Sequence, residues 1–194
     1  MDVTKKIALA IRVVSVPSFL AIVLAMILYI KEGGALLGYV MLAFFLGIVP
    51  ALAYPICRLS PKLKKKGRPF ERKIAFITSG VGYVAGLLYG LLTKETRLLM
   101  MVYLSYFFSV LVLSFFNSIL HVKASGHACG IFGPISLIVA LGGPLYLLPC
   151  VLVFAAVVWA SIYLKRHNLM EIIWGSFSSG SSVIGTVLAY NLIF

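Results

Sequence analysis

Acidic side chains are scarce in this chain: five Asp and Glu stand among 194 residues, against 17 Lys and Arg. Charged residues of both signs make up 11% of the sequence, where a soluble domain carries about a quarter. That deficit excludes a water-soluble globular domain. With 62% hydrophobic residues it leaves a polytopic membrane protein. Cysteine is also rare. Cys57, Cys129 and Cys150 are odd in number and share no paired spacing, which excludes a disulfide framework. Cys129 follows His127 by two positions, but a zinc site needs three or four ligands and the other cysteines lie in apolar runs. No metal and no cofactor are expected. Tandem repeats, low-complexity tracts and linkers are absent, so residues 1–194 read as one integral membrane domain. The first apolar run is too long, and too poorly followed by a cleavage site, for a removable signal peptide.

Long apolar runs are what the chain has in abundance. A span takes about 20 residues, and seven runs qualify or nearly so: 7–30, 35–57, 74–93, 98–120, 127–142, 145–164 and 171–194. The expected fold is therefore all-α, a membrane bundle of six to seven transmembrane helices. The fifth run is the weakest. At 1.5 Å per residue it covers roughly 24 Å of a core about 30 Å thick, so it is expected to begin below the bilayer surface, at the floor of a cavity. Gly82, Gly86 and Gly90 recur every four residues on the third run, as do Ser178, Ser182 and Thr186 on the seventh. Small residues at this spacing let helices approach closely. A polar substrate path is the alternative reading of the hydroxyl stripe.

Three short polar segments interrupt the apolar chain: Gly67-Arg68-Pro69, Lys123-Ala124-Ser125-Gly126-His127 and His167-Asn168-Leu169-Met170-Glu171. They follow the second, fourth and sixth runs. An even number of crossings separates each pair, so all three emerge on one face, together with the N-terminus. Fourteen of the 17 basic residues fall on that face and three, Lys31, Lys94 and Arg97, on the other. Lys and Arg favour the cytoplasmic side, which assigns the site face to the cytoplasm. A net charge of +12 would suggest nucleic acid for a soluble protein. Here it sets topology and holds phosphate or anionic headgroups, and no nucleic-acid partner is expected.

Ionisable groups beside hydrocarbon are functional candidates by default. His167 and Glu171 are four apart and stack on one helical face. A carboxylate there can accept from the histidine Nδ1–H, fix the tautomer and leave Nε2 free to attack. The plain alternative is a helix-end pair that neutralises itself. His127 follows Ser125-Gly126 and opens the fifth run. Bare amides at a helix N-terminus suit an anion, and a histidine there can protonate a leaving oxygen. The alternative is a histidine hydrogen-bonded at the interface, the reading given to His121. Arg68 offers a planar fork for phosphate oxygens. Lys62, Lys64, Lys65 and Lys66 beside it read as topology or headgroup contacts.

Together the segments resemble the type 2 phosphatidic acid phosphatase superfamily. Its motifs are a lysine shortly ahead of an Arg-Pro, a Pro-Ser-Gly-His, and a Ser-Arg followed by a His and then an Asp. Arg68-Pro69 matches the end of the first. Ser125-Gly126-His127 matches the second, with Ala124 for proline. His167 and Glu171 match the third, with glutamate for aspartate and Gly175 beyond. The resemblance implies His167 as nucleophile, Glu171 as its orienter, His127 as general acid, and Arg68, Ser125 and Gly126 as phosphate binders, without a metal. It implies dephosphorylation of a lipid phosphate or diphosphate, of phosphatidate or prenyl type, through a phosphohistidine. Two cations of the pattern are absent: Ser161 stands at the arginine position and Pro61 at the lysine position. Lys123, Lys165 and Arg166 are nearby substitutes. The alternatives are a lipid phosphotransferase using the same residues, and a non-enzymatic binding or transport protein on a degenerate scaffold. Membrane lipids are the other expected partners, and the residues do not specify an oligomeric state.

Overall fold

The computed structural model describes residues 2–59, 65 and 67–193, without the side chains of Arg68 and of 191–193. Among the described residues it is helical throughout, with no strand. The helices are α1 (Val3–Val14), α2 (Pro17–Glu32), α3 (Leu36–Leu59), α4 (Gly67–Thr93), α5 (Arg97–Ile119), α6 (Gly126–Gly142), α7 (Pro144–Tyr163) and α8 (Leu169–Ile193).

Local chemistry fixes most boundaries. The expected first span, 7–30, is broken: Pro17 pushes Val16 out of helical geometry, and α1 meets α2 at 54°. α1 is strongly amphipathic, with Lys5 and Lys6 beside exposed Val3 and Ile7, which suits an interfacial helix. α2 ends at Gly33, whose φ of +66° favours glycine. α3 carries Pro50, which brings no N–H to the ladder, and widens into a π-helical turn over Phe44–Ile48 just before it. α4 begins seven residues earlier than the apolar run 74–93 predicts, because Pro69 is tolerated in a first turn where its N–H would be orphaned anyway. The Arg-Pro segment thus opens a helix.

Among the described residues, five helices are long and apolar enough to cross a membrane, or six if the bent α1–α2 pair is one span. The fifth expected run forms α6, which is shorter than a full span. Large apolar side chains such as Ile30, Leu92 and Leu145 cover the outer surface. Exposure on that scale suits lipid and not water.

α8 packs against α5 and α6, and α4 against α5 and α3. The glycine stripe of α4 explains its own approach. A Cβ at Gly82 would strike the Phe45 carbonyl, and one at Gly86 or Gly90 would meet the Tyr103 ring. Ser178, Ser182 and Thr186 each donate to the carbonyl four residues back, at 2.7–2.8 Å, and all three are buried. These hydroxyls satisfy themselves on α8, and their small size serves helix packing. The main core gathers Leu24, Leu28, Leu42, Tyr103, Ile131 and Leu137 between the helices.

Candidate active site

The second polar segment is held from two sides. From α5, the Asn117 side-chain carbonyl accepts from the Ala124 N–H at 3.1 Å, and its amide donates to the Leu113 and Ala124 carbonyls at 2.9 and 3.3 Å. From α8, the Glu171 carbonyl accepts from the Ser125 N–H at 2.8 Å. Phe116 and Trp174 close the contact with ring centroids 4.9 Å apart. Gly175 makes the approach possible, because a Cβ there would overlap the Ser125 backbone. Ser125 then caps α6, its hydroxyl accepting from the Ala128 N–H at 3.2 Å. Gly126 is exposed in the first turn.

The third segment opens α8. Asn168 caps the helix, its side-chain oxygen accepting from the Glu171 N–H at 2.8 Å. Glu171 sits in the first turn, where negative charge is favoured by the helix dipole. It is 6% exposed. One carboxylate oxygen lies 2.6 Å from His167 Nδ1 and the other 2.6 Å from Lys123 Nζ. An ionised carboxylate only accepts, so His167 carries its proton on Nδ1 and its lone pair on Nε2. Burial pulls the His167 pKa below its ordinary 6.5. Glu171 opposes that shift, and Arg72 and Arg12 add to it. A neutral imidazole is the nucleophilic form.

A small cavity lies between α6, α7 and α8, lined by Ser125, His127, Ala128, Phe154, Val157, Val158, Ser161 and Ile172. His127 Nε2 is buried there with no hydrogen-bond partner among the described residues. A buried ring nitrogen without a protein partner calls for a water, an ion or a ligand atom to satisfy it. His167 is tied to this wall through Glu171, the residue before Ile172. The opposite wall carries Ser161, whose hydroxyl accepts from Arg12 Nη1 at 2.8 Å.

The structure therefore brings together His127, His167, Glu171, Lys123, Ser125 and Gly126. Lys123 is exposed and engaged with Glu171, so it neutralises the orienting carboxylate. Lys165 is exposed in a left-handed turn with φ +51°, donating its N–H to the Ile162 carbonyl at 2.9 Å. Arg166 is half-buried, its N–H held by the Ser161 carbonyl at 3.0 Å. The Arg68 side chain, Lys62, Lys64 and Lys66 lie outside the described residues.

The comparisons identify no relative. No family model matches the chain, and neither the curated proteins nor the solved structures give a match. The functional argument stands on the geometry and on the three segments.

Two residues that this geometry uses escape the sequence reading. Asn117 clamps the second segment but lies inside an apolar run with no pattern around it. Arg12 counts among the fourteen basic residues that set topology, although it falls inside the run 7–30. A cation within an apolar run is a functional signal in itself.

Proposed function

We propose that this protein is a metal-independent lipid phosphate phosphatase that forms a phosphohistidine on His167. The observation that carries the reading is the 2.6 Å bond from His167 Nδ1 to Glu171, set beside a second histidine with a buried, unpartnered nitrogen. Helix-end neutralisation alone leaves that second histidine without a purpose.

In this reading the His167 Nε2 lone pair attacks phosphorus as the phosphorus–oxygen bond to the lipid breaks. The departing oxygen takes a proton from His127, whose protonated form is favoured once a phosphate dianion shares the cavity. Glu171 stabilises the positive charge that develops on His167. Water then attacks phosphorus, giving a proton to His127, as the phosphorus–nitrogen bond breaks and its electron pair returns to His167 Nε2, and inorganic phosphate leaves. The bare amides at the start of α6 and the Ser125 cap favour the anion there. By the resemblance, Arg68 is a further phosphate ligand. Apolar Phe154, Val157 and Val158 suit the lipid portion of a phosphatidate-type or prenyl-type substrate.

The same reading gives seven crossings, with the α1–α2 pair as one. α6 and α7 leave the site and return to it, since Ser125 and Ser161 line one cavity, and α7 is long enough to span. The basic bias of that face supports a site that opens to the cytoplasm.

The test is phosphate release from phosphatidate, prenyl phosphates and prenyl diphosphates, with His167→Ala as control. Release and acid-labile label should both vanish in the variant. Phosphorylated acceptor in place of free phosphate would identify a phosphotransferase. Turnover retained in His167→Ala would end the reading.

A further inference from the structure

We infer that the outward side of α1 is a docking surface for anionic phospholipid headgroups, held by Lys5 and Lys6 on the membrane face that bears the candidate site. This surface needs none of the phosphoryl-transfer chemistry.

α1 and its cap residue Ser15 divide among three sides at helical spacing. Ala8, Ile11 and Ser15 turn inward: Ala8 and Ser15 are buried, and Ile11 packs on the main core. Val3, Ile7, Ala10 and Val14 fall on one line and form an exposed apolar stripe, with Val3 and Val14 at 68% and 65% exposure. At 3.6 residues per turn, Lys5 lies nearly opposite that stripe. Lys6 lies at its border, in line with exposed Val13. A lysine at such a border rests its methylene stem on hydrocarbon and reaches outward with its ammonium. Both lysines are exposed, and neither forms an ion pair among the described residues.

Both ends of α1 are held at the edge of the bilayer. Tyr163 Oη donates to Asp2 at 3.1 Å, and Arg12 Nη1 donates to Ser161 Oγ at 2.8 Å. Ser161 and Tyr163 belong to the last turn of α7, a helix long and apolar enough to span. From there α2 turns away by 54° and carries the exposed apolar surface onward as Phe19, Ile22 and Met26. The stripe of α1 therefore runs into a surface that lipid covers. Charge complementarity then selects the lipid. With the stripe in the acyl region, Lys5 and Lys6 stand in the headgroup layer, where adjacent cations favour anionic over zwitterionic headgroups. Exposed Arg58, Arg72 and Lys73, at the ends of α3 and α4, extend the same basic layer.

The test uses full-length protein in nanodiscs, with bimane on Ile7→Cys; the three native cysteines are buried. The probes are phosphatidylglycerol and phosphatidylcholine with doxyl-labelled acyl chains, and aqueous iodide. Bimane at position 7 should be quenched by the doxyl lipids and spared by iodide. Phosphatidylglycerol should outcompete phosphatidylcholine there by about fivefold for each lysine, the worth of one cation near an anionic surface. Lys5→Gln with Lys6→Gln should bring the two lipids to equality at an unchanged melting temperature. Lys5→Arg with Lys6→Arg should keep the preference, and about 1 M NaCl should remove it. Quenching by iodide in place of lipid would put the stripe in water and overturn the assignment. Equal quenching by the two lipids in the Lys5, Lys6 protein, or a preference that survives the glutamine pair, overturns it as well. Protection from both quenchers would give this side of α1 to a second copy or another protein, and also overturns it.

Discussion

Replacing Glu171 by Gln tests the heart of the site with one atom changed. The carboxylate accepts from His167 Nδ1 and from Lys123 Nζ, both at 2.6 Å. Lys123 is exposed at 72% of its side chain, so losing that pair costs at most about 1 kcal/mol. The bond to His167 is charge-assisted and shielded, worth about 1.5–3 kcal/mol. Stability should therefore fall by no more than a few kcal/mol, and the fold should survive. Catalysis should suffer much more. A glutamine amide can donate to Nδ1, which moves the imidazole proton to Nε2 and blocks the attacking lone pair. In hydrolase triads the corresponding carboxylate-to-amide exchange costs about 10⁴ in kcat, equivalent to about 5.4 kcal/mol of barrier. The pH profile gives an independent reading. His167 must be neutral to attack, and its pKa lies below 6.5, so wild-type kcat/KM should rise through an acid limb below pH 6.5 and fall again on the alkaline side as His127 loses the proton it donates. Glu171 raises that pKa, so in Glu171→Gln the limb should move to lower pH. The assay is phosphate release across pH 4.5–8 with single-turnover labelling. A variant within about tenfold of wild type, with an unmoved acid limb, would show that the pair merely caps a helix.

Gly175→Ala should drive a methyl into the Ser125 backbone, break the Ser125–Glu171 bond and lower stability by about 1–3 kcal/mol, with activity lost as His127 shifts. Gly185→Ala on the same helix is the control: its Cβ meets nothing within 4 Å, so it should be neutral or stabilising by up to about 1 kcal/mol in thermal melts. Asn168→Ala removes the α8 cap and should cost about 0.5–2 kcal/mol, with a several-fold drop in turnover because Glu171 is positioned by that first turn. Depressed His167 basicity also makes a stability prediction. The unfolded chain binds its proton more readily, so this contribution is full above pH 6.5 and is lost as pH falls through the lower folded pKa, measurable as a declining melting temperature in acid.

The sequence alone determined the parts of this protein that obey short-range rules. Apolar runs defined the helices to within a few residues, because hydrocarbon forces a chain to satisfy its backbone polar groups within each segment. The exceptions were local too: Pro17 split the first run, and Pro69 let α4 start early. His167 and Glu171 were legible as a pair because helix geometry brings positions four apart together whatever the rest of the fold does. The four-residue glycine stripe likewise declared its packing role, though not its partners, Phe45 and Tyr103.

Contacts between distant segments were decided by tertiary structure. Nothing in the sequence pairs Arg12 with Ser161, Asn117 with Ala124, or Gly175 with Ser125. Lys123 read as a phosphate ligand by its place in the chain; its pairing with Glu171 came only from packing. The reason is physical. A motif specifies which groups are available, but their partners depend on where whole helices cross, and that is set by the summed shape of many apolar side chains. Three polar segments were visible in the sequence; only the packing of α1 against α7 brought Arg12 of the apolar N-terminal run to the Ser161 hydroxyl.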